Sequence, residues 1–348
     1  MNLIVGENAQ GKTNLLESVF YLSTGKSFRT ARNQELIRFG AEFADLSCTL
    51  FSGGREQSLR AVLFSGRRPR QLYIGGVKQR SAAGLSGVLT TVLFCPDDLL
   101  ILKSGSSGRR KILDTALCQL RPGYAQALAE YQKLYDSKSR ILKDYHDAPS
   151  LLEPLPEFNY RMAQVGAVVI TYRAKFLREL SKQARLYHAE FSGGREELSL
   201  VYQTVSTVTD PFADKKTIFQ QLLDHQQAHY RAELDSGQCL SGPHKDDFET
   251  LLGERSVKAY GSQGQTRTAA ISLKLAEREL FRADTGEEPV LLLDDVLSEL
   301  DARRQDFVLN QIRSGQVLIT CCEPDRLSDI GKRILIENGQ VREDPTCI

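Results

Sequence analysis

The stretch Gly6-Glu7-Asn8-Ala9-Gln10-Gly11-Lys12-Thr13 fits G-x-x-x-x-G-K-[ST] at every fixed position. Such a loop turns its backbone N–H groups toward a phosphate chain, and its glycines let the main chain close around the anion with no Cβ in the way. Lys12 is expected to reach the β- and γ-phosphates, and the Thr13 hydroxyl to hold Mg²⁺. A second chemical group stands far downstream, at Val290-Leu291-Leu292-Leu293-Asp294-Asp295. The apolar run makes a buried strand that delivers Asp294 to its carboxyl end as the metal-holding acid. Asp295 follows as the group that orients or deprotonates an attacking water. Loop and acids together predict an ATP and Mg²⁺ site whose catalytic residues are Lys12, Asp294 and Asp295.

Shortly before the acidic strand comes Tyr260-Gly261-Ser262-Gln263-Gly264-Gln265, which opens a helix. Alone it reads as a capped turn. It is also a second anion-binding helix start. The chain's own nucleotide is already held by the first loop, so this turn is expected to face the ATP of another copy. A head-to-tail homodimer that closes its ATPs between the subunits satisfies both sites.

These groups need a sheet to carry them. Asn2-Leu3-Ile4-Val5 reads as a short buried strand. Thr13 to Leu22 reads as a helix with Leu15, Leu16, Val19, Phe20 and Leu22 as its apolar residues. Strand-like runs follow at Ala44 to Phe51, Leu59 to Phe64, Gln71 to Ile74 and Thr90 to Phe94. From about 108 to 192 the pattern turns helical. Tyr124, Leu128, Tyr131, Tyr135, Leu142 and Tyr145 form one stripe. Phe158, Met162, Val165, Val169, Tyr172, Phe176, Leu180, Ala184 and Tyr187 form a second. Beyond them, Leu198 to Val205 reads as a strand, Asp210 to Glu233 as helix, Val257 to Tyr260 as a strand and Thr266 to Arg282 as a helix. Val290 to Leu293, Val317 to Thr320 and Ile334 to Ile336 complete the strands. The predicted class is α/β: a mixed sheet with flanking helices, and a helical subdomain inserted into it. Residues 1–95 and 240–348 are assigned to the ATPase domain and 96–239 to the insert.

The chain has 348 residues, 26% of them charged, and a net charge of +1, so nothing pulls it as a whole toward nucleic acid or membrane. No apolar run approaches the roughly 18 residues of a membrane span, and no membrane partner is expected. The seven cysteines show no C-x-x-C spacing; Cys321 and Cys322 are vicinal and Cys347 is almost terminal. Such a set reads as reduced thiols of the cytosol. DNA contacts, if present, must come from local clusters. Candidates are Arg67, Arg68 and Arg70, with Lys78 and Arg80 nearby, and Arg109, Arg110 and Lys111. Each also reads as a solvated turn. His225 and His229 have metal-pair spacing but no third ligand.

On these motifs the chain resembles an ATP-binding-cassette ATPase of the chromosome-maintenance branch, most closely the RecF family. Ser262-Gln263-Gly264-Gln265 is similar to the family's signature turn. Leu293-Asp294-Asp295-Val296-Leu297-Ser298-Glu299-Leu300-Asp301 is similar to its acid motif and dimer loop, which places Ser298 and Asp301 at the dimer surface. Lys26 to Thr30, Ser241 to Asp247, and Phe94 to Leu99 followed by Arg109-Arg110 resemble further segments, and the likeness covers nearly the whole chain. It implies a weak DNA-dependent ATPase in replication and recombinational repair. Sequence-independent binding at gapped, single-strand/double-strand junctions is implied too, with RecR and RecO as partners that help load RecA. His244 is read as structural or near the dimer surface. The family begins with additional β-structure before the phosphate loop, so the start of this chain is expected to be a truncation or a misassignment. Asp295 in place of the Glu of many cassette relatives, and Cys321-Cys322 without a His, point to slow hydrolysis. The cassette motifs also fit the ATPase subunit of a membrane transporter, and, last in rank, a long-armed chromosome protein; the short insert argues against the second.

Overall fold

The structure, a computed structural model, describes residues 1–322 and 331–342; Cys347 lies outside them. In chain order the first elements are β1 (Asn2–Val5), α1 (Lys12–Thr24), β2 (Phe43–Ser52), β3 (Arg55–Phe64), β4 (Gln71–Ile74), β5 (Val77–Gln79), β6 (Thr91–Phe94) and α2 (Pro96–Leu100). Then come α3 (Ser106–Leu120), α4 (Pro122–Asp144), α5 (Leu155–Ser192), β7 (Leu198–Gln203), α6 (Lys215–Ala228), α7 (Tyr230–Ser236), β8 (Asp247–Leu252), β9 (Arg255–Ser256) and α8 (Val257–Tyr260). The last are α9 (Gln263–Thr285), β10 (Val290–Leu293), α10 (Ala302–Gln311), β11 (Val317–Cys321), β12 (Lys332–Glu337) and β13 (Gln340–Arg342). The packing divides the chain into residues 1–100 with 267–348, and residues 101–266.

The first unit holds a six-stranded sheet in the order β13-β12-β1-β11-β10-β6. Its pairs are parallel except β12 with β13. The apolar runs of β1, β10 and β11 are buried, as strands covered on both faces require. Leu16 and Phe20 of α1 pack with Ile4, Leu93, Leu292, Leu318 and Ile336. Each such side chain contributes about 1.5–3 kcal/mol on burial. A second sheet, β2-β3-β4-β5, is antiparallel. Its inner face packs Leu59, Ala61, Leu63 and Leu72 on Tyr21 and Leu22.

The second unit is built around α5, a helix of 38 residues that carries the predicted stripe: Met162, Val165, Val169, Leu180 and Ala184 are buried along it. Gly193 stops it in the left-handed conformation at φ 65°. Beside it lie α3, α4, α6 and the sheet β7-β8-β9.

The structure departs from the sequence reading in places. Val257 to Tyr260 is one helical turn rather than a strand; it closes when the Gly261 N–H reaches the Val257 carbonyl at 3.0 Å. Four residues are too few for periodicity to separate helix from strand. The strand of this region is Asp247–Leu252, which pairs with β7. That pairing draws residues 240–266 into the second unit, so the unit edges fall at 100/101 and 266/267 instead of the expected 95/96 and 239/240. The helix expected from Asp210 starts at Lys215, because the Asp214 carboxylate caps the N–H groups of Lys216 and Thr217.

Candidate nucleotide-binding site

The phosphate loop leaves β1 at Val5 and enters α1 at Lys12. Gly6 lies against the next strand: a Cβ there would stand 2.4 Å from the Ile336 carbonyl oxygen. Gly11 caps α1 at φ 102°, a left-handed conformation that glycine adopts freely. Ala9, at φ 64°, takes the same region with a side chain, a strain that must be held by its surroundings. Part of that hold comes from the turn between β12 and β13. Gly339 N–H donates to the Gln10 carbonyl at 3.0 Å, and Asn338 N–H to Gln10 Oε1 at 2.6 Å. Glu7, Asn8 and Ala9 are exposed on the loop's open side.

Lys12 is 8% exposed, and its ammonium donates to the carbonyls of Gly6 (2.6 Å) and Glu7 (2.8 Å). It also lies 3.4 Å from Cys322 Sγ, whose thiol donates to Asn8 Oδ1 at 3.0 Å. The charge thus sits inside the curl of the loop, where phosphate oxygens compete well with neutral carbonyls.

The acids arrive as the sheet order requires. Thr13 Oγ1 donates to Asp294 Oδ1 at 2.9 Å, joining residues 281 apart in sequence. Thr320, at the end of β11, donates to the same oxygen at 3.0 Å and accepts the Asp295 N–H at 2.8 Å. Asp294 is buried, whereas Asp295 is exposed and held at φ 52°. Ser298 Oγ donates to the Asp295 carbonyl at 2.7 Å and to its Oδ1 at 3.2 Å. Asp301 caps α10 through the Arg304 N–H. A hydroxyl and a carboxylate converging in this way are hard oxygen donors, the set that suits Mg²⁺. Thr320 escaped the sequence reading: a threonine ending an apolar strand carries no signal until the neighbouring strand is known to end in an acid.

In the other unit, Ser262 and Gln265 form a reciprocal cap. Gln265 N–H donates to Ser262 Oγ at 3.2 Å, and Ser262 N–H to Gln265 Oε1 at 2.9 Å. Gln265 Nε2 also donates to Glu196 Oε1 at 2.7 Å, and Glu196 Oε2 meets His188 Nε2 at 3.1 Å. The Gln265 amide, with His188, holds Glu196 below the usual carboxylate range, and burial keeps His188 below the usual imidazole range. Gln263 is exposed and Gly264 half-buried. Glu196 was not a sequence candidate, because nothing near it marks it off from a surface acid.

The basic candidates separate. Arg109 is 2% exposed; it grips Asp247 at 2.6 and 2.8 Å and donates to the carbonyls of Leu102 and Ser104. It is spent inside the protein and cannot meet DNA. Arg70 is half-buried and turned onto Tyr21 Oη and the Gly25 carbonyl. Arg110 donates to the Asp246 carbonyl at 2.6 Å, and Lys111 is exposed. Arg67 and Arg68 are exposed, with Arg68 over the Phe64 ring at 4.1 Å. His225 and His229 stack at 4.0 Å, but no group of three or more metal-ligating side chains exists among the described residues. His244 is structural. Its Nε2 meets the Cys239 carbonyl at 2.9 Å and its Nδ1 the Tyr131 hydroxyl at 2.8 Å.

Over residues 1–341 the chain matches the family described as RecF/RecN/SMC N terminal domain. It is 36% identical to the DNA replication and repair protein RecF of Acetivibrio thermocellus, over 93% of this chain and 88% of that protein. It is 39% identical to that of Symbiobacterium thermophilum, over 94% and 86%. Among solved structures it is similar to the recombination mediator protein RecF-ATPrS in the RecFOR pathway, at a TM-score of 0.90 and 32% identity, covering 98% of this chain and 91% of that one. The Smc head domain of Pyrococcus furiosus shares the fold at a TM-score of 0.51 and 15% identity, covering 98% and 88%.

Proposed function

This chain belongs to the RecF family of DNA replication and repair proteins, and on that footing we propose that it works as an ATP-gated clamp on DNA. The observation that carries the reading is the Thr13–Asp294 hydrogen bond, which closes phosphate loop and acid strand into one nucleotide site. Gly6 to Thr13 cradle the triphosphate, and Lys12 leaves the Gly6 and Glu7 carbonyls for the β- and γ-phosphates. Thr13 and Asp294 hold Mg²⁺, which when bound neutralises charge developing on the phosphates. Asp295 orients the attacking water.

The Ser262 turn of a second copy covers the γ-phosphate, so that nucleotide stabilises a head-to-tail homodimer and hydrolysis releases it. Ser298 and Asp301 line that contact. Hydrolysis is slow, because the carboxylate of Asp295 is one methylene shorter than a Glu, and DNA stimulates it. The clamp acts in the cytoplasm at gapped, single-strand/double-strand junctions without reading sequence, and RecO and RecR join it in loading RecA. The chain is similar to the recombination mediator proteins RecF-ATPrS and RecF-ATP in the RecFOR pathway. The transporter reading has no support: the relatives named above are DNA replication and repair proteins.

Sedimentation velocity with ATP·Mg²⁺ and a gapped duplex tests the reading. A dimer that forms with ATP and persists on DNA is the expected result. Lys12→Ala abolishes ATP binding, and Ser262→Arg keeps ATP binding but stays monomeric. An ATP-induced dimer of Ser262→Arg would sink the scheme.

A further inference from the structure

The outer face of the sheet β2-β3-β4-β5 is unpartnered, and its register sets out a row of side chains suited to one ligand. Ser47 stands opposite Arg60, Arg60 opposite Tyr73, and Tyr73 opposite Lys78, so one side chain from each strand falls in line. Strand alternation puts all of them on the side away from Leu59, Leu63 and Leu72, which pack inward. The next row pairs Thr49 with Ser58. Ser47, Thr49, Ser58, Arg60 and Tyr73 line an open groove of about 500 Å³, and Lys78 pairs with Tyr73 at its side. At one end of the same face Phe43 stands opposite Phe64, whose ring carries the Arg68 guanidinium at 4.1 Å. Phe43 is 54% exposed, a cost in water that a ligand on the face would remove.

The charges fit an anion. Arg60 is held flat across the strands by Asp45, with Nε–Oδ1 at 2.9 Å. Arg67, Lys78 and Arg80 are exposed and make no ion pair with any described residue. These are the cations left over from the first basic cluster once Arg68 lies on Phe64 and Arg70 turns inward. A face with aromatic rings, hydroxyls and unpaired cations is complementary to unstacked bases on a phosphate chain. A paired duplex offers its bases no access to such rings.

We propose that this sheet face is a binding site for single-stranded DNA, with bases stacking on Tyr73 and on the Phe43–Phe64 end, and phosphates following Lys78, Arg80 and Arg67. The inference rests on the clamp reading and gives it a strand-selective surface: the face takes the single-stranded side of a junction.

The chain contains no tryptophan, so Tyr73→Trp places a lone indole on the face. Titrating the full-length variant with an oligo-dT strand should quench that indole. By anisotropy, Tyr73→Ala should weaken oligo-dT binding roughly tenfold or more. Lys78→Gln should lower the slope of log K against log salt by about one. Both sites are on the surface, and ATP binding by the same preparations checks that the variants are folded. An unquenched indole at saturating oligo-dT, with affinity unchanged in Tyr73→Ala, overturns the proposal and leaves the face to a protein partner. A wild-type chain that binds neither oligo-dT nor a gapped duplex removes the clamp reading as well, a different failure in the same assay.

Discussion

Thr320 and Asp294 are linked by a hydrogen bond of 3.0 Å, and the same Thr320 hydroxyl accepts the Asp295 N–H at 2.8 Å. One hydroxyl therefore fixes both acids of the site: the first through its carboxylate, the second through its backbone at φ 52°. Thr320→Val removes the link while keeping the shape. A buried hydrogen bond to a charged group contributes about 1.5–3 kcal/mol. If that stabilisation is felt in the transition state, kcat for ATP hydrolysis should fall roughly 10- to 100-fold. ATP affinity should hold, and Thr320→Ser should restore most of the rate. Equal losses in Thr320→Ser and Thr320→Val would show that the hydroxyl plays no part.

Cys322 reports on the phosphate loop. Its thiol is exposed and touches both Asn8 and Lys12. If ATP, as proposed, draws Lys12 toward its phosphates and covers Asn8, maleimide labelling of Cys322 should slow several-fold with ATP present. Mass spectrometry of the labelled peptide reads this directly. Prior alkylation should block ATP binding, whereas Cys322→Ser should leave it nearly intact.

In the helical unit, Lys138 and Glu233 form an ion pair at 2.6 Å with their side chains 0% and 1% exposed. Removing one partner strands the other charge. Lys138→Met should cost about 3–5 kcal/mol in urea unfolding. Glu233 Oε1 also accepts the Leu240 N–H at 2.8 Å. The double change Lys138→Met with Glu233→Gln keeps that acceptor and removes both charges, and it should recover most of the loss.

Burial holds His244 down to about 4 from an ordinary 6.5. A lowered imidazole value means that the unfolded chain binds a proton the folded chain refuses. The contribution of His244 is therefore complete above pH 6.5 and declines as the pH falls toward 4. Between pH 7 and pH 5 this group alone should remove about 2 kcal/mol of stability. His244→Gln should flatten that limb of the pH profile, measured by urea unfolding at each pH.

Much of the nucleotide site was legible because each part announces itself locally. Gly6 to Thr13 specify a loop by spacing, and four apolar residues ending in Asp294 specify a buried strand and its acid. What stayed hidden depends on pairs distant in sequence. Thr320 gains a role only because β11 lies beside β10, and Gln10 only because the turn at Asn338 and Gly339 comes down on it. Arg109 and Arg110 looked alike in sequence. In the fold Arg109 is buried on the Asp247 carboxylate, whereas Arg110 reaches the Asp246 carbonyl and stays half-buried.

The placement of β1 has a consequence for how the protein is made. Its neighbours in the sheet are β11 and β12, and Asn2 reaches Val317 across a separation of 315 residues. At roughly 5–20 residues per second, β1 waits on the order of 15–60 s on the ribosome before either flank exists. Residues 101–266 find their packing partners within themselves and are translated during that wait. The nascent chain is thus set to fold from its middle outward. The phosphate loop, translated before β10, β11 and β12, becomes functional only after them.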